Sequence, residues 1–282
     1  MEARRVLVFG WGAAAEAVLR EVAMYKTAAT VLCISHNSQA SDCNLQDVCN
    51  QLSMSCKLSD VDAEILALSR EFAPELIMSA SYRKKLPNDI LELCPDRINF
   101  HPSLLPKHRG CWSGFWSIFD GDVETGVTCH RMVEAFDSGA ILHQKRLPIL
   151  PTDTSASLYR RLLPITADCA RNVFQQFFDS QGLPAGQEQV GTASYHFRRL
   201  PFQGIIQPEW PDEQVERFIR AMHFPPFDGA AMLVNEEKIS VDSFEEYCRI
   251  RREAEAAAAL PAAAVAAAVA VAAMPSTAAA VA

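Results

Sequence analysis

The sequence has no C-x-x-C pair and no zinc-finger spacing, although it carries nine Cys, at positions 33, 43, 49, 56, 94, 111, 129, 169 and 248. An odd set without paired spacing excludes a disulfide scaffold and argues against a structural metal. Several lie in apolar runs, as Cys33 does in Thr30-Val31-Leu32-Cys33-Ile34, where a thiol packs as a small hydrophobe. Basic charge is also short: 26 Lys and Arg face 34 Asp and Glu, a formal −8. That balance argues against broad, non-specific binding to phosphate backbones, though not against a local basic patch. No apolar h-region follows Met1-Glu2-Ala3-Arg4-Arg5. The most apolar stretch, 262–274 between Pro261 and Pro275, is too short and too weakly hydrophobic to span a bilayer. A reduced, cytoplasmic protein with no membrane partner is expected. The chain also lacks a G-x-S-x-G elbow, which excludes a serine hydrolase of that type.

What is present reads as α/β. A strand over 5–9, a Gly-rich turn and an apolar-periodic helix over 13–24 open the chain. Strands near 30–34, 76–80 and 97–100 alternate with helices near 45–52, 63–72 and 88–93. Such alternation predicts a Rossmann-like, mostly parallel sheet with helices on both faces. Two β-rich runs, Gly126 to Met132 and Gly139 to Leu147, read as paired strands, and a long helix follows over 154–178. The predicted organisation is a main domain over 1–182, a linker over 183–194 and a small, truncated mixed C-terminal subdomain over 195–252, with a helix at 212–222. Residues 253–282 are an Ala-rich low-complexity tail; 17 of the last 27 residues are Ala and none of those 27 is charged.

The turn Gly10-Trp11-Gly12 fits a dinucleotide pattern only weakly. The second strand ends Ile34-Ser35-His36-Asn37, without the acid that holds a ribose. A tight β-α turn is the simpler reading.

The chemistry lies in Asn99-Phe100-His101-Pro102-Ser103-Leu104-Leu105-Pro106 and in Asp137-Ser138-Gly139. The strand over 97–100 delivers His101 to the carboxyl edge of the sheet, where ligands of open α/β folds bind. Period-two alternation puts Asn99 on the same side. An amide can donate to an oxygen that becomes negative, a His can exchange a proton near neutrality, and a neighbouring Asp can tune that His. This equipment suits direct attack of an amine on an activated acyl carbon. His101, His108, Cys111 and His130 match no ligand spacing, so no metal is expected.

Asn99-x-His101-Pro-Ser-Leu-Leu-Pro with Gly126-Val-Thr and Asp137-Ser-Gly resembles the folate-dependent formyltransferases, the superfamily of methionyl-tRNA formyltransferase, glycinamide ribonucleotide transformylase and amino-sugar N-formyltransferases. The resemblance covers residues 4 to about 180. It implies catalytic roles for Asn99, His101 and Asp137 and 10-formyltetrahydrofolate as donor. It puts that donor near Ser81, Tyr82, Leu86, Pro87, Val133 and Phe136, and the acceptor near Gly10, Trp11, Gly12, Ser103, Arg109 and Trp112. Arg198-Arg199-Leu200-Pro201 and the segment from Trp210 to Ala230 resemble the second-domain start of the transfer-RNA and amino-sugar enzymes. The short C-terminal part and the acidic body favour a small amine such as an amino-sugar nucleotide. Methionyl-tRNA, with a shortened C-terminal domain, is the alternative acceptor. A catalytically silent folate-binding module and a dinucleotide oxidoreductase are the rival readings.

Overall fold

The computed structural model describes residues 2–180 and 182–258. In chain order its strands and helices are β1 (Arg4–Gly10), α1 (Gly12–Val22), β2 (Ala29–Ser35), α2 (Leu45–Leu52), β3 (Ser55–Leu58), α3 (Asp62–Phe72), β4 (Leu76–Ala80), α4 (Asn88–Leu91), β5 (Arg97–His101), β6 (Arg109–Gly110) and α5 (Ser113–Phe119). They continue with β7 (Glu124–Arg131), β8 (Ile141–Pro148), α6 (Ser155–Asp179), β9 (Tyr195–His196), α7 (Asp212–Met222), β10 (Ala230–Val234), β11 (Glu237–Val241) and α8 (Phe244–Ala258).

Seven strands form one sheet in the order β3-β2-β1-β4-β5-β7-β8. The first five are parallel; β7 pairs antiparallel with β5, and β8 antiparallel with β7. Strand β1 shows why both faces are covered. Val6 and Val8 enter one apolar cluster, with α1 and α6, whereas Leu7 and Phe9 enter the opposite one, with α3 and α4. A strand buried on both sides has to be apolar throughout, and Val6 to Phe9 all are.

Helix α6 begins where the sequence expects it, on a capping box in which Thr154 and Ser157 exchange side-chain and backbone bonds. It runs on through Pro164, because its apolar stripe of Leu158, Leu162, Val173, Phe174 and Phe177 is buried against α1 and the sheet. Phe174 is wholly buried, so Phe174→Ala is expected to cost about 3–5 kcal/mol of stability. Urea denaturation measures this, and a loss below about 1 kcal/mol would mean that the helix does not seal this face.

Two features add to the sequence reading of the C-terminal part. Residues 195–252 do not hold a core of their own: Phe218, Trp210 and Phe202 interlock with Phe115, Trp116 and Phe119 of α5 in one aromatic cluster. The helix α8 continues to Ala258, beyond the expected end of the body at 252. The rest of the expected Ala-rich tail, 259–282, lies outside the described residues. Among the described residues, no helix is long and apolar enough to cross a membrane, and none of the nine Cys is in a disulfide.

Candidate active site

Strand β5 ends at His101 in the middle of the carboxyl edge, and β7 lies antiparallel beside it with Asn99 opposite His130 and His101 opposite Thr128. The loop between β7 and β8 returns Asp137 to the same point. Asp137 has φ 50°, a left-handed conformation that Asp tolerates better than most residues. Two residues on, a Cβ at Gly139 would stand 2.0 Å from the Arg131 carbonyl oxygen, so only glycine lets the loop fold back so closely.

The buried Asp137 carboxylate is the hub. Its Oδ1 accepts from Asn99 Nδ2 at 3.3 Å and lies 3.3 Å from His130 Nε2. Its Oδ2 accepts the Gly110 N–H at 2.8 Å and lies 3.4 Å from His101 Nδ1. Burial alone would raise this carboxyl, but His101, His130 and the Gly110 N–H hold it well below the usual carboxylate range. His101 is also lowered, but with burial as the cause. Burial pushes it below the ordinary imidazole value, against the opposing pull of Asp137.

Both imidazoles have one nitrogen committed to an oxygen that can only accept. His101 Nε2 donates to the His108 carbonyl at 2.7 Å, and His130 Nδ1 donates to the Arg131 carbonyl at 2.9 Å. In the neutral rings the second nitrogen of each is therefore bare and turned toward Asp137. The bare Nε2 of His130 accepts the other Asn99 N–H at 3.2 Å, which fixes the amide rotamer. A bare nitrogen beside a carboxylate is a proton acceptor whose charged form is stabilised as it forms.

A second layer comes from the segment after α6. Gln189 Nε2 donates to the carbonyls of Asp137 (2.7 Å) and Gly139 (2.8 Å), and its Oε1 accepts from Arg109 Nε (3.1 Å) and Nη2 (2.7 Å). Strand β9 pairs with β6, and a Cβ at Gly110 would lie 2.2 Å from the His196 carbonyl oxygen. The Gly110 N–H therefore reaches Asp137 from a backbone clamped on its other side.

The residues expected at the site divide. Asn99, His101 and Asp137 converge. Lys85 Nζ lies 5.4 Å from the centroid of the Phe136 ring, so the two expected donor segments meet beside Asp137, with Ser81, Pro87, Val133 and Phe136 exposed. Tyr82 is half-buried and stacks on His36, whereas Leu86 points into the core with Phe9 and Ile90. One acceptor expectation is corrected. Ser103 is 0% exposed, and its hydroxyl donates to the Lys107 carbonyl, so it staples the loop and meets no ligand. Beside Gly10 and Gly12, Asp42 Oδ2 accepts the Ala13 N–H at 3.4 Å. A carboxylate already sits at the N-terminus of α1, and a phosphate there would meet like charge. Trp11 is half-exposed, its indole donates to the Ser38 carbonyl, and the Arg83 guanidinium stands 5.0 Å from its ring. Trp112 is exposed, and Arg109 is taken up by Gln189.

The sequence reading missed His130, Gln189 and the His108 carbonyl. His130 was within reach: in Thr128-Cys129-His130, alternation puts it on the face of Thr128. Gln189 carried no local signal, since it acts across 52 residues.

With this geometry in view, comparison with known proteins is decisive. Residues 4–168 match the formyl transferase family. The chain belongs to that family. This formyltransferase is 36% identical over 251 residues to a GDP-perosamine N-formyltransferase of Brucella melitensis biotype 1, a match covering 88% of this chain and 96% of the relative. Its fold is that of a sugar N-formyltransferase from a Shewanella species, with TM-score 0.68 at 21% identity over 84% of this chain and 96% of that one. A Helicobacter canadensis N-formyltransferase, solved with folinic acid and dTDP-3-aminofucose, has TM-score 0.67 at 20% identity, covering 84% of this chain and 86% of that one. The protein is thus a folate-dependent formyltransferase with a Rossmann-like α/β fold. These relatives do not favour the methionyl-tRNA alternative.

Proposed function

We infer that the formyltransferase moves the formyl group of 10-formyltetrahydrofolate to the primary amine of an amino-sugar nucleotide. The observation that carries this reading is the Asp137 carboxylate held among Asn99, His101, His130 and the Gly110 N–H. The acceptor class is supported by the match across 96% of a GDP-perosamine N-formyltransferase.

The exposed loop faces of Val133 and Phe136, with Lys85 above the ring, suit a flat heterocycle with an anionic tail lying next to Asp137. The amine nitrogen bonds to the formyl carbon, and the bond from that carbon to the folate nitrogen breaks. As the carbonyl oxygen becomes negative it takes the Asn99 N–H now given to His130, since an oxyanion is the stronger acceptor. The bare Nδ1 of His101 receives the proton the amine loses, Asp137 stabilises the resulting imidazolium, and the same proton passes to the leaving folate nitrogen. Proton count and charge close without a metal or an oxidant. Trp11 with Arg83 offers a flat face and a cation for the nucleotide part.

Gln189 acts as a positioning residue. Gln189→Ala is expected to lower kcat by up to about a hundredfold through misplacement of Asp137. The acid limb of the kcat profile should shift with little change in KM for the amine; an unmoved pH profile would reduce Gln189 to a structural tie.

The reading is tested by offering 10-formyltetrahydrofolate with GDP- and dTDP-linked amino sugars and with methionyl-tRNA, following release of tetrahydrofolate and the mass of the acceptor. Formylation of a sugar nucleotide is expected. Preferred formylation of methionyl-tRNA would overturn it.

A further inference from the structure

One side of the catalytic loop holds a second cluster that the transfer chemistry does not use. His108 is buried, and its Nε2 lies 2.9 Å from Asp122 Oδ2, an oxygen that can only accept. The hydrogen of the neutral ring is therefore on Nε2, and Nδ1 is a bare lone pair. That lone pair faces His196 Nε2 at 3.1 Å, from a residue 88 positions along the chain, and Asp120 Oδ2 at 3.9 Å. The three ligand atoms lie within 4.8 Å of one another.

Two arrangements satisfy these nitrogens. In one, His196 Nε2 donates its own proton to His108 Nδ1, and Asp120 stands by at a distance too long for a hydrogen bond. In the other, a cation replaces that proton and takes all three atoms as ligands. Several details fit the cation. Two ligands on a tetrahedral zinc-sized ion, each about 2.0–2.1 Å away, stand about 3.3 Å apart, close to the observed nitrogen separation. The Asp122–His108 bond is the outer carboxylate that orients a metal-binding imidazole. His196 is held in plane by Trp116, stacked at 4.2 Å and 10°. Asp120 is partly exposed, which leaves a way in from solvent and an open fourth position for water. Asp120 and Asp122 bring two carboxylates, with Lys107 bound to Asp122 Oδ1 at 2.7 Å and Arg217 acting on Asp120.

We propose that His108, His196 and Asp120 form a binding site for a divalent transition-metal ion of the zinc class, with Asp122 as its outer carboxylate. The site joins the end of the catalytic loop to β9. It lies one residue's length from the chemistry, because the His108 carbonyl accepts the His101 Nε2–H. A bound ion would fasten the β9 segment, and with it the Gly110 N–H, to the loop that holds His101. The sequence excluded a metal on spacing alone, and spacing could not see His196 arriving from beyond α6.

The full chain, stripped of metal with a chelator and dialysed, should be titrated with Zn2+ by calorimetry and with Co2+ by visible absorption near neutral pH. One ion per chain is expected, with the absorption of a four-coordinate nitrogen and oxygen site. His196→Phe keeps the stack on Trp116 and serves as the folding control; with Asp120→Asn it should weaken binding at least about a hundredfold. Asp122→Asn should weaken it about ten- to a hundredfold. The rival is the Cys33, Cys49 and Cys56 trio, whose sulfurs also lie within 4.8 Å of one another. Thiolate-to-cobalt bands lost in Cys56→Ser, binding indifferent to His196→Phe, or no binding by the folded chain would each overturn the proposal.

Discussion

Asp137→Asn is expected to lower kcat by about a hundred- to ten-thousandfold while leaving the fold intact, because the substitution keeps the shape of the hub and removes its charge. The amide nitrogen would also face Asn99 or Gly110, both of which donate to this position now. Rapid-quench measurement of formyl transfer separates the chemical step from product release. A variant within tenfold of the parent would show that His101 moves its proton without help.

The same carboxylate predicts how stability follows pH. Its native pKa lies below the unfolded value of about 3.9, so its contribution is present above that pH and is lost as pH falls through the lower native value. Urea denaturation should therefore show parent and Asp137→Asn differing most near neutrality and converging in acid. His101 acts with the same sign at a higher pH. Its native pKa is lowered, so the unfolded chain binds that proton more readily and stability drops as pH falls below about 6.5. If the neutral ring is the working form, the acid limb of kcat also lies below about pH 6.5.

Asn99→Ala carries the second large effect. Loss of a donor to the developing oxyanion is expected to lower kcat by about a hundred- to a thousandfold, with KM for the donor changed far less. The half-buried amide fills little of the core, so the thermal midpoint should move by no more than a few degrees. A fall in affinity at unchanged kcat would recast Asn99 as a residue that binds ground state and transition state alike. His130 separates the two contributions to the amide: His130→Ala leaves Asn99 its bond to Asp137 but frees its rotamer, so its effect on kcat should be smaller than that of Asn99→Ala.

Much of the site was legible because it is built on strands. Asn99 and His101 share a face through strand geometry, and their place at the carboxyl edge follows from the alternation of strands and helices before them. The Asp137-Ser138-Gly139 run was legible as a turn, whereas the need for glycine at 139 came only from the fold. The error at Ser103 came from reading a motif without its surroundings. Ser103 stands two residues after His101, yet its hydroxyl turns inward to the Lys107 carbonyl. Asp42 meets the first turn of the helix that Gly12 opens, thirty residues earlier, and no periodicity connects the two.

Local patterning of this chain determined the doubly covered sheet, the strand that carries Asn99 and His101, and the family to which they belong, since each depends on neighbours a few residues away. Tertiary structure alone decided what surrounds Asp137. Gln189, His130, the Gly110 N–H and the pairing of His108 with His196 come from segments up to 88 residues apart. Hydrogen bonds and buried charges act over a few ångströms of space, and only the folded chain sets those distances.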